Sequence, residues 1–297
     1  LGMLWDEAPL LDEAECTALE LSERIEADAH LDIISGTAGG LGALLSLYRC
    51  HPSPRNLAAA IRCGDHLIAR ACSMPEGLAW QTEVPSMKPL TGFSHGAAGI
   101  AWALLELFDV TGVERFRRVA YEAIAYERSV FSVAQANWPD FRSPQPASEV
   151  SEEYQPRFTA MWCHGAGGIG LARLAALKHF EDKLICDDVH AALKAIRTEG
   201  FNYNHSLCHG DLGNLELLSQ ASRILRDSIC TAEVERKASE ILTTIKQHGW
   251  LCGVPHEVES PGFMTGLAGI GYGLLRQAHP DRIPSVLLLQ PPGVKLN

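Results

Sequence analysis

The 297-residue sequence has no apolar run near the roughly 20 residues that a membrane span requires, so no spanning helix is expected. It has no Lys/Arg run or basic stripe. Lys plus Arg is 25 against 36 for Asp plus Glu, a formal net charge of −11, which argues against a nucleic-acid partner. The opening stretch LGMLWDEAPLLDEAE lacks the basic start and apolar core of a signal peptide, and it lacks an initiator Met. Strand-like alternation of any length is missing as well. Disorder is excluded, because 46% of residues are hydrophobic and 21% charged.

Nine cysteines are scattered over a long chain. An odd, dispersed set is no disulfide framework for a small secreted domain, and a reducing, cytoplasmic setting is expected. Two of them, Cys163 and Cys208, are each followed by His and Gly.

One grammar recurs five times: small, Gly-rich residues, then an apolar run. The copies are residues 35–48, 94–108, 163–177, 208–221 and 265–278, with leading glycines Gly36, Gly96, Gly165, Gly210 and Gly266. Between them lie amphipathic stretches. In 233–247 the inward stripe reads Val234, Ala238, Ile241, Leu242 and Ile245. In 113–131 it reads Val113, Phe116, Ala120 and Ile124. A helix with one wet face lies outside, and one that is apolar all round is covered all round. Alternation of the two predicts an all-α chain of inner helices, each backed by an outer one: an α/α toroid.

In that arrangement the five glycine-led N-termini share one end. Their unpaired N–H groups are expected to face one basin suited to anions and thiolates. Residues 132–158 carry four prolines and no helical period, and are read as an irregular flap within a single domain, 1–297.

Thiolate and imidazole are preferred zinc ligands, and both Cys-His-Gly triplets fall where the basin is expected. Three ligands leave a position open for substrate, whereas four close the site. His95, one residue before its glycine, is a candidate acid or base. Asp32, before the first element, suits orienting an imidazole or holding a substrate group.

The runs DIISGTAG, TGFSHGAAGIAWAL, MWCHGAGGIGLARL, SLCHGDLGNLELL and PGFMTGLAGIGYGLLR resemble the lanthionine synthetase C-like family over essentially the whole chain. They are most similar to the C-terminal cyclase domain of class II (LanM-type) lanthipeptide synthetases. The resemblance implies a toroid of seven inner helices around one zinc ion. It implies addition of a precursor-peptide cysteine to dehydroalanine or dehydrobutyrine. Carried over residue by residue, it assigns zinc to Cys163, Cys208 and His209, catalysis to His95, and a site role to Asp32. His164 stands where the family also has Tyr, so it is not expected to bind metal. A dehydrated precursor peptide and, in a longer enzyme, a dehydratase domain are the partners implied.

Two departures stand out. Single-domain members have an Arg four residues before the first zinc Cys, where this chain has Thr159, with Arg157 nearby. Five of seven inner elements are present. LGMLW reads as the tail of another, so an N-terminally incomplete domain, aggregation-prone and poorly active, is expected. Two other classes stay open: a non-catalytic peptide- or thiol-binding module, and a glycosidase using Asp32 and Asp211.

Overall fold

A glycine N-cap opens every second helix of the computed structural model, which describes residues 7–143 and 155–293. Ten α-helices are found among these residues: α1 (Ala8–Ser22), α2 (Thr37–Cys50), α3 (Pro54–Ala69), α4 (Ala97–Thr111), α5 (Glu114–Ser129), α6 (Ala166–Ala176), α7 (Lys183–Glu199), α8 (Asp211–Leu225), α9 (Ser228–His248) and α10 (Leu267–Ala278). Gly36, Gly96, Gly165, Gly210 and Gly266 precede α2, α4, α6, α8 and α10, so each glycine-led run is a helix of its own. The remaining strands are two residues long, such as the antiparallel pair β1 (Cys72–Ser73) and β2 (Leu78–Ala79).

The two helix types start differently. Outer helices α7 and α9 use ordinary caps, in which Asp182 and Asp227 accept the N–H of Leu184 and Ile229, each at 2.8 Å. Before an inner helix the loop folds back, and its carbonyls accept first-turn N–H groups from seven positions ahead. The bond recurs as Ala38 to Leu31, Ala97 to Leu90, Ala166 to Thr159, Asp211 to Asn204 and Leu267 to Ser260, at 2.7–3.3 Å. This fold-back requires glycine, because a Cβ at Gly165 would stand 1.6 Å from the Thr159 carbonyl oxygen and its φ is +82°. The expectation of bare N–H groups facing a basin is therefore corrected. Loop carbonyls already use several of those donors, which weakens any site for a free anion there.

The contacts divide the chain into two units. The first comprises Leu1–Val130, Asp140–Arg157 and Leu288–Asn297. There α2 packs on α3, α4 on α5, and α2 beside α4. The second comprises Phe131–Pro139 and Phe158–Leu287, with α6 on α7, α8 on α9, and α8 beside α6 and α10.

Burial follows the expected alternation in α4, α6 and α8. Ala97–Leu105 are all buried, as are Asp211–Ala221. Each fully buried Leu or Ile there contributes about 1.5–3 kcal/mol relative to exposure. By contrast, α10 buries only Gly269, Ile270, Gly273 and Arg276, and Leu275 is 55% exposed. In α9 the stripe is narrower than the period suggested: Ile241 is buried, but Leu242 lies outside it at 45% exposure.

Of the proposed flap, residues 132–143 are anchored. Trp138 is fully buried, and Phe131 meets it edge-on at 4.7 Å. The stretch 144–154 and the LGMLW segment lie outside the described residues.

Candidate metal centre and acid–base pair

In the second unit, Cys163 and Cys208 come from separate fold-back loops, and His209 follows Cys208 directly. Their ligand atoms all lie within 4.8 Å of one another. The backbone joins the loops: the Cys163 N–H donates to the Cys208 carbonyl at 3.2 Å, and the Cys208 N–H to the Met264 carbonyl at 2.9 Å. The expected three-residue set is thus assembled, and His164, buried in its own hairpin, is not part of it.

Hydrogen bonding to the Cys208 thiol, then burial, holds the Cys163 thiol well above its usual range, against the pull of the His209 imidazole. Two such neighbours resist ionising together unless a cation sits between them. Two sulfurs and one imidazole nitrogen are a donor set that fits zinc, one short of a closed structural site. Nε2 of His209 is packed against Gly253, where a Cβ would stand 2.7 Å away.

Sequence reasoning missed what holds this centre. Thr159 stands where single-domain relatives were expected to have Arg, and its role here is local. Its hydroxyl donates to the His164 carbonyl at 2.8 Å, and its own carbonyl accepts from Ala166 and from Asn137 Nδ2. Arg157 is exposed. Asp211, in the first turn of α8, is buried, and burial pushes its pKa up to about 6 against hydrogen bonds from Tyr203 and Asn202.

In the first unit, Nδ1 of His95 lies 2.6 Å from Oδ2 of Asp32. The other carboxylate oxygen, Oδ1, accepts the N–H groups of Ile34 at 2.9 Å and Ser35 at 2.7 Å. Asp32 is 1% exposed, while the His95 side chain is 23% exposed. A buried carboxylate thus orients a reachable imidazole. Beside it, Leu31 adopts φ +62°, a strained state for a branched residue. Asp28 holds it there by accepting from Leu31 N–H and from both N–H and hydroxyl of Thr37. Burial opposes ionisation of Asp28, but these hydrogen bonds outweigh it and keep the carboxyl below its usual value.

The His95 loop is fixed from behind. Oε1 of fully buried Glu127 accepts the N–H of Gly92 at 2.9 Å and of Ala98 at 3.0 Å. Hydrogen bonds to a charged group contribute about 1.5–3 kcal/mol each. Glu127→Ala is therefore expected to cost about 3 kcal/mol or more, read as a lower urea midpoint at unchanged slope. A midpoint within error of wild type would show that the loop does not depend on Glu127.

Residues 4–288 match the lanthionine synthetase C-like protein family. The chain belongs to that family. It is 30% identical over 200 residues to the lacticin 481/lactococcin biosynthesis protein LcnDR2 of Lactococcus lactis subsp. lactis; the match covers 63% of this chain and 20% of that protein. Among solved structures it is similar to nisin cyclase, with 18% identity and a TM-score of 0.66, covering 87% of this chain and 66% of that one. It also resembles a cellobiose 2-epimerase from Spirochaeta thermophila, with 14% identity and a TM-score of 0.54, covering 82% and 72%. Such identities establish the fold alone, and that fold is the all-α, α/α toroid class expected from the glycine-led repeats. The chain spans a fifth of the curated relative and just under two thirds of nisin cyclase. Among the described residues, no helix is long and apolar enough to cross a membrane.

Proposed function

We propose that this chain closes thioether rings in a dehydrated precursor peptide, adding a cysteine thiol across the double bond of dehydroalanine or dehydrobutyrine. The observation that carries the reading is the Cys163–Cys208–His209 cluster in a member of the lanthionine synthetase C-like family. These three residues would hold one zinc ion. When bound, zinc would supply the positive charge that favours loss of the proton from a peptide thiol.

The protein's own residues have separate tasks. The sulfur forms a bond to the β-carbon, and the π electrons move to the α-carbon and its carbonyl. A proton must then reach the α-carbon, and His95 is the proposed donor. Asp32 keeps the Nδ1 proton of His95 in place, which leaves Nε2 to exchange protons with the substrate. The proton gained at the α-carbon balances the one lost from sulfur, so mass does not change.

No disulfide joins the nine cysteines, all of which lie among the described residues, and this suits a reducing cytoplasm. A peptide presented already dehydrated implies a dehydratase acting before this step, as a separate protein or as another domain. The glycosidase alternative is disfavoured by Asp32, whose oxygens are committed to His95 and two backbone N–H groups rather than to a sugar.

The test is incubation of zinc-loaded protein with a dehydrated peptide containing one cysteine. Free thiol is then counted by alkylation and mass spectrometry. Loss of the alkylatable thiol at constant peptide mass is expected. Binding of the peptide with full retention of its thiol would favour the non-catalytic module and overturn the reading.

A further inference from the structure

The helix that two of the three clustered residues lead into also reaches the loop that carries the third. Cys208 and His209 lead into α8. One turn further along, the side chain of Asn214, 1% exposed, leaves α8 for two other segments. Its Nδ2 donates to the Ala160 carbonyl at 2.6 Å and to the Gly200 carbonyl at 2.6 Å. Ala160 is bridged to Gly165 across the hairpin that contains Cys163. Gly200 closes the C-terminus of α7 and begins the loop that returns to Cys208.

An amide is required here for a chemical reason. Both partners are carbonyl oxygens, so the position needs two donors on one atom. Asn supplies them, and Asp would present only acceptors when ionised. The orientation is also fixed, because a flipped amide would face two carbonyls with its own oxygen. Oδ1 is buried without a hydrogen-bond partner among the described residues and sits beside Gly167, where a Cβ would stand 2.5 Å away. A buried acceptor left unsatisfied costs about 1–3 kcal/mol, so the arrangement is retained against a penalty.

We propose that Asn214 is a positioning residue for the metal ligands, setting the distance between Cys163 and the Cys208–His209 pair through the Ala160 carbonyl. The inference rests on the reading that those three residues hold metal. Cys163 also meets α8's leader directly, through its N–H bond to the Cys208 carbonyl and through its thiol beside Cys208 and His209. Removing the Asn214 clamp takes away the hydrogen bond that ties α8 itself to the base of the Cys163 hairpin.

The experiment uses the full chain, stripped of metal and titrated with Co(II) alone. Cobalt reports geometry through its visible bands and reports bound thiolates through near-ultraviolet charge transfer. Wild type is expected to bind one cobalt with the signature of two thiolates. Outer partners of metal ligands typically contribute 10–100-fold to metal affinity. Asn214→Asp is expected to weaken cobalt binding by about that factor and to lower charge transfer per bound cobalt. Asn214→Ala, which removes the donors without adding charge, is expected to fall between the two and keeps the test open if the Asp variant fails to fold. Variants that are merely less stable, with wild-type affinity and an unchanged spectrum per cobalt, would overturn the assignment to Asn214 and leave the metal reading standing. Wild type that binds no cobalt would overturn both.

Discussion

Cys208→Ala is expected to take the zinc content of the purified protein from about one per chain to near zero. The argument is one of donor count. Two thiolates and an imidazole hold a divalent ion with one position open, whereas a single thiolate and an imidazole leave half the shell to water. The fold should survive the change. Cys208 is half-buried, its side chain is small, and both bonds that join the ligand loops run through its backbone. Elemental analysis against wild type reads the result, with Cys186→Ala, an exposed thiol on α7, as the control that keeps its metal. Full zinc retention in a Cys163→Ala, Cys208→Ala double variant would remove the assignment altogether.

His95→Asn is expected to keep zinc and lose ring closure. General acid–base groups typically contribute 10²–10⁴-fold, so the initial rate of thiol loss should fall at least about a hundredfold. Asn can still donate a hydrogen bond towards Asp32, which limits structural damage, but it cannot exchange a proton at neutral pH. Because metal content and rate are measured on the same sample, loss of metal is separated from loss of proton transfer. An unchanged rate at full zinc occupancy would leave His95 as a residue that only holds its loop.

The inner helices were legible because their signal is local and repeated. A glycine followed by small and apolar residues marks each start, and all five starts fall at the expected glycines. The three clustered residues were legible through chemistry placed at equivalent points of that repeat, and Asp32 and His95 do meet. Other features were hidden for one physical reason: their partners are backbone atoms distant in sequence. Glu127 holds a loop about thirty residues earlier, and Asn214 bonds to carbonyls at 160 and 200. Nothing in residue type or spacing announces such contacts. The fold-back loops were hidden likewise, which is why bare helix N-termini were expected and occupied ones were found. On α9 the period alone placed Leu242 inward. The packing of a surface helix selects a narrower face than its pattern allows, and Leu242 falls outside that face.

The bonds from Cys163 to Cys208 and from Cys208 to Met264 have a consequence for the timing of synthesis. They join three successive repeats, so the loops around the cluster are braced only once Met264 has been made. A ribosome adding about 5–20 residues per second needs roughly 5–20 seconds to pass from Cys163 to Met264. During that interval the early thiol has emerged without the loops that will enclose it. Until Cys208 and His209 follow, an early metal ion would find only one sulfur of the cluster. On the reading that the cluster holds metal, loading into the finished geometry would follow translation of the Met264 segment.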